Sequence, residues 1–293
     1  MTITVLLAAL AVLGIVFTIV LLRTAIKRGE SRPNAEAIGL GAVTNFFDTL
    51  GIGSFATTTA WIKFRRLVPD SFIPATLNVG HALPTIAQSA FFLVVFGVHV
   101  DPTLLASCIG AAVLGAVIGT RLVLRAPVQL VQIVVGIALL IAAGLYTMGN
   151  LELFPAGGEA TALPTAKMLF AIAVHFVLGA LMAFGIGLYA PSLILLSLLG
   201  LDPRLAFPIM ASACAFLMPT TGFSFVKSSR IDLRIILGIA IGGIPAVFLA
   251  VQLIDKLDIK WIRWGVVVVV LYAAILLLRT AFKDQTVAVG GTR

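Results

Sequence analysis

Charged side chains are scarce in this sequence. Asp, Glu, Lys and Arg make up 11% of its 293 residues, while 60% are hydrophobic; soluble domains carry roughly 25% charge. That excludes a water-facing globular surface. The net charge of +8 does not indicate nucleic acid, because the basic residues fall in short clusters between long apolar runs, the pattern that orients a chain in a bilayer. Cysteine is nearly absent: Cys108 and Cys214 both lie in apolar runs, outside any CxxC or Cys/His ligand spacing, and read as small packing residues. There is no HExxH motif and no phosphate-binding P-loop, so no metal site, ATP-driven step or other cofactor is expected, and no enzymatic role.

Apolar runs fall at 3–22, 37–64, 71–98, 102–122, 127–147, 168–199, 203–222, 233–253 and 260–279, each as long as the roughly 20 residues a spanning helix needs. The first has no basic residue before it and is followed by Arg23, Lys27, Arg28 and Arg32. A cleaved signal has its charges on the other side, so this run reads as a retained first helix with its N-terminus outside.

Two runs are interrupted, by Gly51-Ile52-Gly53 and by Gly185-Ile186-Gly187. A shift of 134 residues carries Gly51 onto Gly185, Gly53 onto Gly187 and Pro74 onto Pro208; a shift of 131 carries Asp101 onto Asp232 and 128–132 onto 259–263. This is an internal repeat, with halves at 37–147 and 168–279 joined through an external loop at 148–167 and flanked by a first helix and cytoplasmic loop (1–36) and a cytoplasmic tail (280–293).

Charge decides between topologies. If all nine runs cross, 11 of the 20 Lys and Arg lie inside and 9 outside. If the two interrupted runs are re-entrant hairpins, 15 lie inside and 5 outside, which the positive-inside rule favours. The cluster at 256–263 then lies outside, against the trend. Each half becomes a hairpin plus three spans; an odd number of spans inverts the second half. The expectation is an all-α polytopic membrane protein of seven spans and two hairpins, with the C-terminus cytoplasmic, in a single membrane domain.

Irregular backbone at membrane depth requires a surrounding cavity or protein, so the tips, Gly51, Ile52, Gly53 and Ser54 with Gly185, Ile186, Gly187 and Tyr189, are expected to meet at one. A helix starts after each, with Ser54 as a cap and Pro191 in the first turn. Two helix N-termini facing one cavity suit an anion; the structural alternative is that the glycines permit close helix packing. Asp48 is the candidate coupling residue for a proton or cation, or else an acceptor that stabilises the tip. Asn78 and His81 share a helix face and could line the cavity with Ser212, the repeat partner of Asn78; interhelical hydrogen bonding is the alternative. His175 reads as structural, Lys227 as a solvated cation at a helix end, and Trp61, Trp261 and Trp264 as interface anchors.

The segments Leu50-Gly51-Ile52-Gly53-Ser54 and Phe184-Gly185-Ile186-Gly187-Leu188-Tyr189-Ala190-Pro191-Ser192-Leu193 resemble the paired glycine motifs of the TauE/SafE (sulfite exporter, 4-toluene sulfonate uptake permease) family. The resemblance extends over nearly the whole chain, with Ser54 and Leu188 where a third glycine often stands. It implies secondary transport of sulfur-containing or organic anions (sulfite, sulfonate, sulfoacetate-like) across the inner membrane, by alternating access. The partners are then a small anionic substrate, a coupling ion and the lipid bilayer, with no nucleic acid. A passive anion channel, an intramembrane enzyme using Asp48, His81 and His175, and a partner subunit without transport of its own are the rival readings.

Overall fold

The computed structural model describes residues 2–95, 99–153, 158–228, 230–253 and 260–290. It is all-α among these residues. The helices are α1 (Thr2–Arg28), α2 (Ala35–Thr49), α3 (Ser54–Arg65), α4 (Ile73–Gly80), α5 (Ala82–Val95), α6 (Pro102–Arg125), α7 (Val128–Asn150), α8 (Thr165–Met182), α9 (Tyr189–Leu198), α10 (Pro203–Lys227), α11 (Leu233–Leu253) and α12 (Lys260–Gly290). Among the described residues seven helical segments are long and apolar enough to cross a membrane, and large apolar side chains such as Val12, Ile15, Leu114, Ile137 and Phe248 stand exposed around the bundle. An apolar exterior of this extent belongs in lipid. The chain is a polytopic α-helical membrane protein.

Local chemistry sets the helix starts. Asn34 caps α2 by accepting from Ala37 N at 3.0 Å. Asp101, Asp202 and Asp232 cap α6, α10 and α11, accepting from Leu104 N at 2.7 Å, Arg204 N at 2.8 Å and Arg234 N at 2.9 Å. Asp101 and Asp232, the pair matched by the sequence repeat, thus do the same work. The run expected at 71–98 forms one candidate span, Asp70–Val95, with a one-residue break inside it: α4 ends at Gly80 and α5 starts at Ala82, while 96–98 lie outside the described residues. Pro84 explains the break, since it has no N–H for the Gly80 carbonyl. The tail expected from 280 is helical to Gly290.

Both interrupted runs double back. Glu36 at the start of α2 meets Arg65 at the end of α3, Arg65 Nε to Glu36 Oε1 at 2.7 Å. Lys167 at the start of α8 donates to the Leu199 carbonyl beyond the end of α9 at 2.7 Å. The hairpins open on opposite faces. Asn34, at the first base, bonds to Arg234 at the start of α11, and Arg230 reaches the Ala126 carbonyl at the end of α6. The other end of α6, at Asp101, bonds to Thr161, whose neighbour Ala160 pairs with Gly200 and Asp202 at the second base.

Each hairpin packs on the other half of the chain, α2 on α11 and α8 on α6; α7 pairs with α12, and α10 with α4 and α5. Glycines bring the first two seams close. A Cβ at Gly242 would lie 1.9 Å from the Ile38 carbonyl oxygen, and one at Gly115 would lie 1.8 Å from that of Phe176. The pairs Gly238/Gly242 and Gly115/Gly119 each follow the small-xxx-small spacing that lets membrane helices touch along their backbones. Helix α10 is the most buried candidate span, and α1 the least.

Candidate functional site

The tips share one geometry. After α2, Gly51 N donates to the Asp48 carbonyl and Ile52 N to the Phe47 carbonyl; after α8, Gly185 N donates to Met182 and Ile186 N to Leu181. These are matched Schellman closures, 134 residues apart, with Gly51 at φ +87° and Gly185 at φ +99°. Such angles are strained for residues with a Cβ, which is why glycine stands at both.

The tips face one cavity of about 70 Å³, lined by Asp48, residues 51–56, residues 185–191, Thr85, Met182, Cys214, Met218 and one side of α7 through Tyr146. Of the residues expected at a site, Asp48, Gly51, Ile52, Gly53, Ser54, Gly185, Ile186, Gly187 and Tyr189 line it.

The two ends differ electrostatically. Asp48 is 4% exposed, and its Oδ1 accepts from Ser54 N, the first N–H of α3, at 2.6 Å. Ser54 therefore does not cap α3: Gly53 takes the N-cap position, with no side-chain bond of its own, and a carboxylate from the preceding helix fills that role. At the second tip Met182 stands where Asp48 does, and α9 starts without a side-chain cap. Pro191, its third residue, lacks the N–H that position would leave free. The Tyr189 hydroxyl is buried and has no hydrogen-bond partner among the described residues. Gln88 is 1% exposed, and its buried Nε2 has no hydrogen-bond partner among the described residues.

Asn78, His81 and Ser212 are not among the lining residues; each holds the scaffold instead. Asn78 Nδ2 donates to the Met182 carbonyl at 3.0 Å, fixing the end of α8. His81 bridges both limbs of the first hairpin, Nδ1 to Asn45 Oδ1 at 3.0 Å and Nε2 to Thr58 Oγ1 at 2.9 Å. Asn45 spends its amide N–H on the Gly41 carbonyl, so His81 is protonated on Nδ1 and accepts from Thr58 on Nε2. Ser212 bonds to Ser89 at 3.0 Å. His175 plays the matching part in the second hairpin, with Nδ1 on the Ala171 carbonyl at 2.8 Å and Nε2 on Ser192 Oγ at 2.9 Å. Trp61 is 40% exposed at the end of α3 and donates to Glu36; the side chain of Trp261 and the charges at 256–263 lie outside the described residues.

Sequence reasoning missed Tyr146, Thr85, Met182, Cys214 and Met218. Tyr146 donates its hydroxyl to the Ile52 carbonyl and holds the first tip from α7. A tyrosine near the end of a largely apolar run was the available signal. Among the described residues no group of three His, Cys, Asp or Glu could hold a metal.

No protein-family model, curated protein or solved structure matches the chain. Fold and cavity define its class directly: a multi-pass helical membrane protein with two glycine-tipped hairpins meeting at an internal cavity.

Proposed function

We propose that the protein is a secondary transporter of small anions, that the anion binds between the hairpin tips, and that Asp48 couples its passage to protons. The observation that carries this reading is the pairing of a capped and an uncapped helix N-terminus at one cavity. The open end of α9 and the Tyr189 hydroxyl supply donors, and a helix terminus in a partly buried site is worth up to about 2 kcal/mol to an anion. An anion about 5 Å from an ionised Asp48 would be repelled by about 3 kcal/mol at an effective dielectric near 20. Repulsion exceeds the gain, so the bound state takes a proton on Asp48. Anion and proton then travel together.

The two halves are inverted repeats in this reading, and rocking of one against the other exposes the cavity alternately to each side. The resemblance to TauE/SafE proteins supplies the substrate class: sulfite, sulfonates and sulfoacetate-like anions. It also supports a bacterial inner-membrane location, and the partition of basic residues supports a cytoplasmic basic face with the N-terminus outside. A passive anion channel shares the same cavity and differs only in being unable to concentrate its substrate.

Uptake into proteoliposomes decides between them, using sulfite, thiosulfate, sulfonates, sulfoacetate and simple carboxylates with and without a pH gradient. A carrier accumulates one of these saturably when protons are driven the same way, and its apparent affinity improves by up to about tenfold per unit fall in pH. Asp48→Asn keeps an acceptor for Ser54 N, so it is expected to fold, bind with a flat pH profile and lose accumulation. Flux that only equilibrates would establish the channel, and no flux for any anion would overturn both readings.

A further inference from the structure

One wall of the cavity has no use in anion binding. Met182 reaches it from the end of α8, and Cys214 and Met218 reach it from one face of α10, a helical turn apart. None is more than 2% exposed. Met210, one further turn back on α10, lines the adjoining space. Three of the chain's six methionines and one of its two cysteines therefore converge on one place. Cys214 Sγ lies 3.6 Å from Met182 Sδ.

Thioether and thiolate sulfurs are soft donors that select Cu(I) over hard cations. With metal–sulfur bonds of about 2.3 Å, two sulfurs at tetrahedral angles stand about 3.8 Å apart. The Cys214–Met182 pair therefore already has nearly the separation of a chelate, and Met218 borders the same space as a third donor. We propose that Cys214, Met182 and Met218 form a binding site for a soft monovalent metal ion, of the Cu(I) class, within the cavity. On binding, a metal–sulfur bond forms and the Cys214 S–H bond breaks. Its proton passes to the Asp48 carboxylate, which lines the same cavity, or to cavity water when Asp48 is already protonated. The metal keeps its oxidation state. A thiolate offsets its charge, so the site is neutral when filled and the ion blocks the space between the tips.

The test is a titration of the purified full-length protein with Cu(I), under reducing conditions and against a chromogenic Cu(I) chelator. Ultraviolet absorption of the thiolate–Cu(I) bond is followed alongside. One ion per chain is expected, with the absorption band. Cys214→Ser is expected to abolish the band, and Met182→Leu and Met218→Leu, which conserve volume, to weaken binding about tenfold or more. Cys108→Ser, in the apolar core of α6, is expected to bind as the unaltered protein does. Absence of stoichiometric binding, or binding by the Met182→Leu and Met218→Leu proteins as tight as that of the unaltered protein, would overturn the site; so would loss of the band in Cys108→Ser alone. None of these outcomes depends on anion transport, so the two proposals fail separately.

Discussion

At the residue scale, the buried polar groups divide into those facing the cavity and those holding the hairpins. His81 belongs to the second set. It ties α2 to α3 through Asn45 and Thr58, and Asn45, Thr58 and His81 are all at most 1% exposed. Removing the imidazole leaves two buried polar groups unpaired, at about 1–3 kcal/mol each. His81→Ala is therefore expected to lower the melting temperature of the purified protein markedly, while anion affinity in the folded fraction changes little. A large change in affinity at unchanged stability would return His81 to the site. Tyr146→Phe tests the opposite set. It deletes only the hydroxyl that holds the Ile52 carbonyl, about 1 kcal/mol. The expected result is slower transport with a small stability change, measured as initial uptake rate beside thermal unfolding. The sequence placed His81 and Asp48 on equal terms, as polar residues at membrane depth. Only the fold shows that His81 has both ring nitrogens engaged while Asp48 borders open space.

At the element scale, the hairpins were legible because each of those two apolar runs carries a Gly-Ile-Gly triplet and the two triplets repeat at a fixed spacing. What the sequence did not disclose is which helix each hairpin packs against. The seams α2–α11 and α6–α8 join opposite halves of the chain, and small-xxx-small spacing names a contact face without naming its partner. The kink at Gly80–His81 was missed for a related reason: hydropathy does not register a lost backbone bond. The seams make a contrast within α6. A methyl group added at Gly115 would collide with the Phe176 carbonyl oxygen at 1.8 Å, whereas one added at Gly110 meets nothing within 4 Å. Gly115→Ala is expected to destabilise by about 1–3 kcal/mol through overpacking. Gly110→Ala is expected to be neutral or to stabilise by about 0.5–1 kcal/mol through helix propensity. Parallel unfolding of the two variants checks this, and equal effects would mean that the seam does not restrain the second hairpin.

At the scale of the whole molecule, the partition of charge and the hairpins are one problem. The basic residues separate most fully by side if both interrupted runs turn back, and the contacts at the hairpin bases show that both do. One face gathers Arg28, bonded to the Val226 and Ser228 carbonyls, Arg230 on Ala126, and Lys63 paired with Asp70 at 2.7 Å. Lys167 and Arg204 stand at the other, beside the second hairpin base. In the proposed orientation, with positive charge retained on the cytoplasmic side, each hairpin enters from its own side toward a common depth. Arg66 and Arg204, both exposed, report the two faces. In intact cells carrying Cys108→Ser and Cys214→Ser, an impermeant thiol reagent is expected to label Arg204→Cys and to spare Arg66→Cys until the membrane is opened. Labelling of both from outside would put the two hairpin bases on one side, and a cavity reached alternately from opposite sides could not then be built from their tips. Labelling of Arg66→Cys alone would keep the opposed hairpins and reverse the protein in the membrane, so that the proton bound at Asp48 and its anion would enter by the other face.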